Sequence, residues 1–487
     1  MRITRGAATD MPSMRTSRRQ SGPAPQHAPA SRCLTRRHLL AAAAALGAAP
    51  RLHAAPPADL STRAGEDWPD FLGPAGNGSS SLAPLPTRWP ESGPRVAWHL
   101  ELGEGYGPPA VALGRALVFD RFGPQTRLRA LEAETGRLLW QQTAAADYTD
   151  MFGYDGGPRA APVIADDAVL TYDPEGRLVC RALADGSLRW EVDTATRYHV
   201  IPNFFGVGVA PLVIDGAAGR LVVVPVGGSP PGTRPAAPDR LDTVRGLDSG
   251  LVAFDLATGA ERWRASAELA SYSSPMVARI GGRPRIVAWM RDRLLLVDPD
   301  QGAVLDSLRF RADELFSVNA ANPVVVGSEI LLSETYGPGS ALVDAAGDRL
   351  RIVRTDPPGS RPARSLRSHW GTPVFHQGHL FGSSGRHAGD AQLVCVDWAT
   401  GQTTWHEPGL GRASLALADG HLIVLGEYGD LILARAIPER YEEVARTRLR
   451  DKGAELLVPP CWAAPVIARG LLFVRGRGRI VCVDLTA

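Results

Sequence analysis

The sequence predicts an all-β fold: an eight-bladed β-propeller of four-stranded blades in which the N-terminal strand closes the last blade. Three observations predict it. One phrase recurs along the 487 residues, as ALEAETGRLLW (130–140), RALADGSLRW (181–190), AFDLATGAERW (253–263) and CVDWATGQTTW (395–405). A small residue followed by Pro opens an apolar stretch in nearly every unit. The last unit, APVIARGLLFVRGRGRIVCVDL (464–485), stops before its outer strand, while a lone strand, VAWHL (96–100), is left over at the start.

The recurring phrase reads as a β-hairpin. Gly at the turn takes positive φ without steric cost, and the Thr or Asp before it hydrogen-bonds the local backbone. Trp follows each Gly by four residues, so it holds one place on every outgoing strand, facing the neighbouring unit. A recurrence every ~40–55 residues marks a repeat architecture.

The openings are Pro108-Pro109, Ala161-Pro162, Ala210-Pro211, Ser274-Pro275, Asn322-Pro323, Thr372-Pro373, Ser414-Leu415 and Ala464-Pro465, which makes eight units. Pro is tolerated as the first residue of a strand, where its missing N–H joins no ladder. A closed ring explains both leftovers, because VAWHL supplies the strand that the last unit lacks. The fourth, fifth and seventh units lack the Trp. Asp306 and Arg351 are read as filling its place in the fourth and fifth.

Composition agrees. Gly (52) and Pro (40) are abundant, as in an all-β chain with many turns. The formal charge is +2 and no basic stripe stands out, so nucleic acid is not an expected partner.

Residues 1–55 read as a cleaved twin-arginine-type export signal. TRRHLL (35–40) precedes an Ala-rich apolar run ending near Ala49, and Leu52-His53-Ala54 offers small residues for cleavage. Met14 is an alternative start, and a basic disordered tail is the alternative reading. The run is too short for a membrane span, so a periplasmic or secreted protein is expected, monomeric and not membrane-spanning. Residues 56–95 form a Gly/Pro-rich lead-in, and 96–487 the propeller. Cys180, Cys395 and Cys482 fall in matching strands of separate units and, with Cys461, are expected to be buried free thiols.

The repeats resemble the pyrroloquinoline-quinone-like (PQQ-like) repeat family of exported bacterial β-propellers. That superfamily includes quinoprotein alcohol dehydrogenases and a lipoprotein that assists outer-membrane β-barrel assembly. The resemblance runs from about Asp67 to the C-terminus. It implies the architecture and leaves activity open.

In such a blade the first strand lies along the central axis and the Trp strand outside. The Thr-Gly hairpins then share one face. The links between blades, and the loops joining second to third strands, share the other, where binding residues concentrate. The expected funnel there comprises the acids Asp150, Asp155 and Glu334, the amides Asn203, Asn319 and Asn322, and the cations Arg159, Arg386 and Arg412 with His369. Its aromatics are Tyr154, Tyr272, Tyr336, Trp370 and Trp462. Arg159, His369 and Arg412 precede innermost strands and should converge on the axis.

Two function classes follow. One is a rigid binding platform for a small-molecule or protein ligand, with no demonstrated chemistry and no cofactor assigned. The other is a dehydrogenase of alcohols or sugars using PQQ with calcium. The resemblance implies adjacent cysteines over the quinone and an acid base beside the metal for many such enzymes. This chain has no Cys-Cys pair, and no metal-binding spacing such as HxH or CxxC. The binding platform is the favoured reading.

Overall fold

The computed structural model describes residues 57–90, 93–359 and 364–486. The expected export signal lies outside them. Innermost strands begin at or within two residues after each expected opening: Ala110–Ala112, Val163–Ala165, Leu212–Gly216, Met276–Ile280, Val324–Val326, Val374–His376, Ser414–Ala418 and Val466–Ala468. Each starts an antiparallel four-stranded meander. Blade 1, for example, continues through Arg115–Phe122, Gln125–Glu132 and Leu138–Ala145. Eight such sheets form an eight-bladed propeller. Among the described residues no helix is long and apolar enough to cross a membrane.

The ring closes as the leftovers require. Arg95–Glu101 pairs antiparallel with Arg479–Asp484, placing Trp98 opposite Cys482 and making the N-terminal strand the outer strand of blade 8. Arg95 and Arg63 both clamp Asp484, at 2.9 and 2.8 Å.

The Trp position is an inter-blade lock. Trp98 donates its indole N–H to Ala133 O, Trp140 to Leu183 O, Trp190 to Leu256 O, Trp263 to Pro299 O and Trp405 to Ile437 O, at 2.8–3.1 Å. Each acceptor lies in the following blade. The turn glycine of that blade often lies flat on the indole. A Cβ on Gly136 would sit 2.7 Å from the Trp98 ring, and one on Gly259 equally close to Trp190. Gly is thus required twice over, for φ near +70° and for the absent side chain.

The stand-ins differ in part from expectation. Asp306 occupies the position in blade 4, opposite Leu296, and accepts Leu350 N–H. In blade 5 the position belongs to Arg354, not Arg351. Arg354 pairs with Leu342, packs over Gly401 and donates to Trp398 O at 3.0 Å. The turn around Ala346–Asp348 is longer than a Thr-Gly hairpin, so counting four residues from Gly347 stops three short.

The lead-in is not a mere tether. Trp68 bridges to Val111 of blade 1, and Pro69 O accepts Ile164 N–H of blade 2. Ser79–Ser80 then adds in parallel to the innermost strand of blade 7. Residues 68–80 therefore run inside the ring and stop the axial channel. Trp68 is 1% exposed, and a Cβ on Gly73 would meet its ring at 2.9 Å.

Candidate functional site

Above this stopper, on the face of the inter-blade links, lies a cup of about 430 Å³. Phe71 and Leu72 of the stopper belong to its wall. The repeat builds the rest. The residue two places before each opening is Tyr106, Arg159, Gly208, Tyr272, Ala320, Trp370, Arg412 or Trp462, and all eight line the cup. The openings add small residues, among them Ala161, Ala210, Ser274, Thr372, Ser414 and Ala464, which leave the room.

Aromatic rings form much of the wall. Trp370 and Trp462 lie with centroids 4.7 Å apart, Tyr106 and Trp462 4.9 Å, and His369 and Trp370 4.3 Å. Phe152, Phe205 and Tyr272 continue the series on the opposite side, linked at 5.5 and 5.6 Å. Tyr272 holds the Phe205 loop by accepting its backbone N–H through the phenol oxygen at 2.6 Å.

Three guanidinium groups interrupt the rings. Arg412 lies over Trp370 at 4.7 Å and Trp462 at 5.0 Å. Arg386 lies 4.5 Å over Tyr336, and Arg159 5.5 Å over Phe205. Stacking of this kind stabilises a cation while leaving its edge for other partners. Each also has a carboxylate that stands outside the cup wall. Asp150 meets Arg159 at 2.6 Å, Glu314 meets Arg386 at 3.1 Å, and Glu427 grips Arg412 with both oxygens. Among the described residues no Asp or Glu lines the cup. His369 bonds Tyr336 Oη through Nε2 at 3.0 Å. Burial first, and then Arg412 and Arg386, press its pKa down to about 3, so it stands neutral.

Of the residues expected from sequence, Tyr154, Arg159, Tyr272, Tyr336, His369, Trp370, Arg386, Arg412 and Trp462 surround the cup. Six others do not face it, because bends in the loops use their polar atoms. Asp150 is the partner of Arg159, and Asp155 accepts the backbone N–H groups of Gly105 and Gly157. Glu334 accepts from Tyr336, Gly337 and Gly339. Asn319 donates to the carbonyls of Met290 and Arg291, and Asn322 accepts Ser274 N–H. Asn203 lines a different cavity, between blades 2 and 3.

Tyr106, Phe316, Phe71 and Leu72 were not anticipated. Tyr106 had a signal, since it stands in the same register before its opening as Arg159 and Trp462. The stopper residues have no counterpart in any other unit. Among the described residues no group of three or more His, Cys, Asp or Glu side chains could hold a metal ion.

A family model described as outer membrane protein assembly factor BamB matches residues 88–229 and 126–437, together more than half of the chain. A search of curated proteins gives no match. Among solved structures, BamB from Moraxella catarrhalis superposes with a TM-score of 0.51 at 15% identity, over 79% of this chain and 97% of that one. The quinohemoprotein alcohol dehydrogenase of Comamonas testosteroni gives 0.58 at 12% identity, over 86% and 80%. A europium-containing methanol dehydrogenase gives 0.58 at 12%, over 86% and 91%. These identities speak for the fold alone. With the family match they establish that this chain belongs to the PQQ-like repeat β-propellers.

Proposed function

We propose that the protein is an exported binding protein of the periplasm whose cup holds a small anionic ligand with a flat, largely apolar body. One observation carries this reading: three guanidinium groups and a belt of aromatic rings face a cavity that, among the described residues, no carboxylate lines. A mostly apolar cavity with a few convergent polar groups is the usual make-up of a small-molecule site. Guanidinium edges suit a carboxylate, and indole and phenol faces suit a planar body. The export half of the proposal rests on TRRHLL ahead of the Ala-rich run.

Oxidation of an alcohol by a quinone with calcium would need carboxylates at the cup, to hold the metal and to take the hydroxyl proton. The lining residues supply none, and Glu427 and Asp150 are engaged with arginines outside the wall. The residues do not fit that chemistry.

Native mass spectrometry of the protein from its own periplasm should reveal a retained anion. Titration with a panel of aromatic carboxylates, PQQ among them, should identify a binder. Its affinity should fall by about 1–3 kcal/mol in Trp370→Ala and in Arg412→Ala, as expected for an aromatic anchor or a charged hydrogen bond. Equal binding by wild type and both variants would overturn the reading. So would quinone-dependent reduction of an artificial electron acceptor in the presence of calcium and an alcohol.

A protein ligand is a second reading, favoured by the rim. Phe152, Tyr154 and Phe316 surround the mouth and are 47%, 53% and 41% exposed. Exposed aromatics at a cavity mouth are suited to anchoring a partner chain.

A further inference from the structure

A second cavity, of about 380 Å³, opens between blades 2 and 3 and shares no lining residue with the cup. Its walls are largely apolar, with Val200, Ile201, Val226, Leu241 and Leu269 among them. Arg291 also lines it, from the turn between the second and third strands of blade 4.

Arg291 is only 4% exposed, and its Nη2 has no hydrogen-bond partner among the described residues. The neighbouring carboxylates are engaged elsewhere: Asp292 pairs with Arg311 at 2.9 Å, and Asp242 pairs with Arg240 at 2.8 Å. Burial lowers the Arg291 pKa to about 10, and the nearby Arg311 adds to the effect. Tyr148 also lines the cavity, and its phenol oxygen is buried with no hydrogen-bond partner among the described residues. Buried donors are normally satisfied, and a buried cation lacking a direct partner is costly. A guanidinium of this kind in the wall of an apolar cavity is placed to receive negative charge.

We propose that this cavity is a second ligand site, taking a small amphipathic monoanion whose carboxylate meets the Arg291 guanidinium and whose apolar body fills the walls. Asp147 and Glu175 also line the cavity and oppose a second negative charge. The site is separate from the cup and stands or falls independently of the function proposed above.

The test uses decanoate as probe, with decanol as the uncharged control, on the whole protein by calorimetry and thermal melting. Decanoate should bind wild type and raise its melting temperature, while decanol binds at least about tenfold more weakly, the factor expected for a hydrogen bond to a charged group. Arg291→Met should lose a similar factor. Trp370→Ala should still bind decanoate. Without ligand, Arg291→Met should melt at or above wild type, because it removes a buried charge whose direct contact is the Phe204 ring at 5.9 Å and not a carboxylate. Absence of decanoate binding to wild type at millimolar concentration overturns the proposal. So does undiminished binding by Arg291→Met, binding lost in Trp370→Ala, or an Arg291→Met protein that melts below wild type.

Discussion

Glu427 holds Arg412 between two indoles. Its Oε2 accepts the Arg412 Nε at 3.0 Å and the Arg412 backbone N–H at 2.9 Å, while its Oε1 accepts the Trp462 indole N–H at 3.0 Å. Burial alone would raise the Glu427 pKa, but these bonds outweigh it and hold the carboxyl below its ordinary value.

Glu427→Gln should therefore destabilise the fold by about 2–3 kcal/mol at neutral pH, the worth of charged hydrogen bonds left unmade. A carboxyl with a depressed folded pKa contributes stability above its unfolded pKa and loses it as pH falls through the folded value. Urea unfolding of the two proteins should converge toward acid pH. A gap that persists unchanged to pH 2 would assign the loss to packing.

Asp70, in the stopper, behaves oppositely. It is partly buried, its Oδ1 has no hydrogen-bond partner among the described residues, and burial pushes its pKa up to about 7. The folded protein keeps this proton up to that pH, whereas the unfolded chain releases it near 4. Stability should fall as pH rises between these values. Asp70→Asn should stabilise the protein at pH 8, by on the order of 2–4 kcal/mol, and hardly at pH 4. Melting curves at the two pH values decide it.

Cys180, Cys395 and Cys482 sit opposite Trp190, Trp405 and Trp98 in three different blades. All are buried free thiols, as is Cys461. Burial pushes the pKa of Cys180 and Cys395 up to about 11 and of Cys461 up to about 12. Thiolate is the reactive form, so a thiol reagent should label none of the four until the protein unfolds. Non-reducing mass mapping should find no disulfide among them.

Trp98 is 9% exposed and locks the last blade to the first. Trp98→Ala should cost about 3–5 kcal/mol, the usual loss for a buried aromatic. A chain lacking everything through Leu100 should aggregate, because blade 8 then presents the unpaired edge of Arg479–Asp484. Unchanged melting and solubility of that truncation would refute ring closure by this strand.

The blades were legible because their markers are local. Pro opens a strand for a steric reason, and the Gly–Trp spacing is set by a short turn. Arg354 was missed where that turn lengthens. The cup was legible where a side chain stands in register before an opening, as Arg159, Trp370 and Arg412 do. Asn322 and Glu334 were misplaced because amides and carboxylates serve a bent backbone as readily as a ligand, and spacing does not tell the two apart. The stopper left no trace, since its contacts with Val111, Ile164 and Leu417 depend on a ring that forms only in three dimensions.

Phe71 and Leu72 back the cup on the side of the stopper. Where that backing closes the axial side, a molecule leaves by the opening through which it entered, and no competitor arrives behind it. Exchange at such a site is dissociative. The replacement rate equals the first-order departure rate of the occupant and stays flat however much competitor is added. A channel open at both ends would let an incoming molecule hasten the exit of the one already inside.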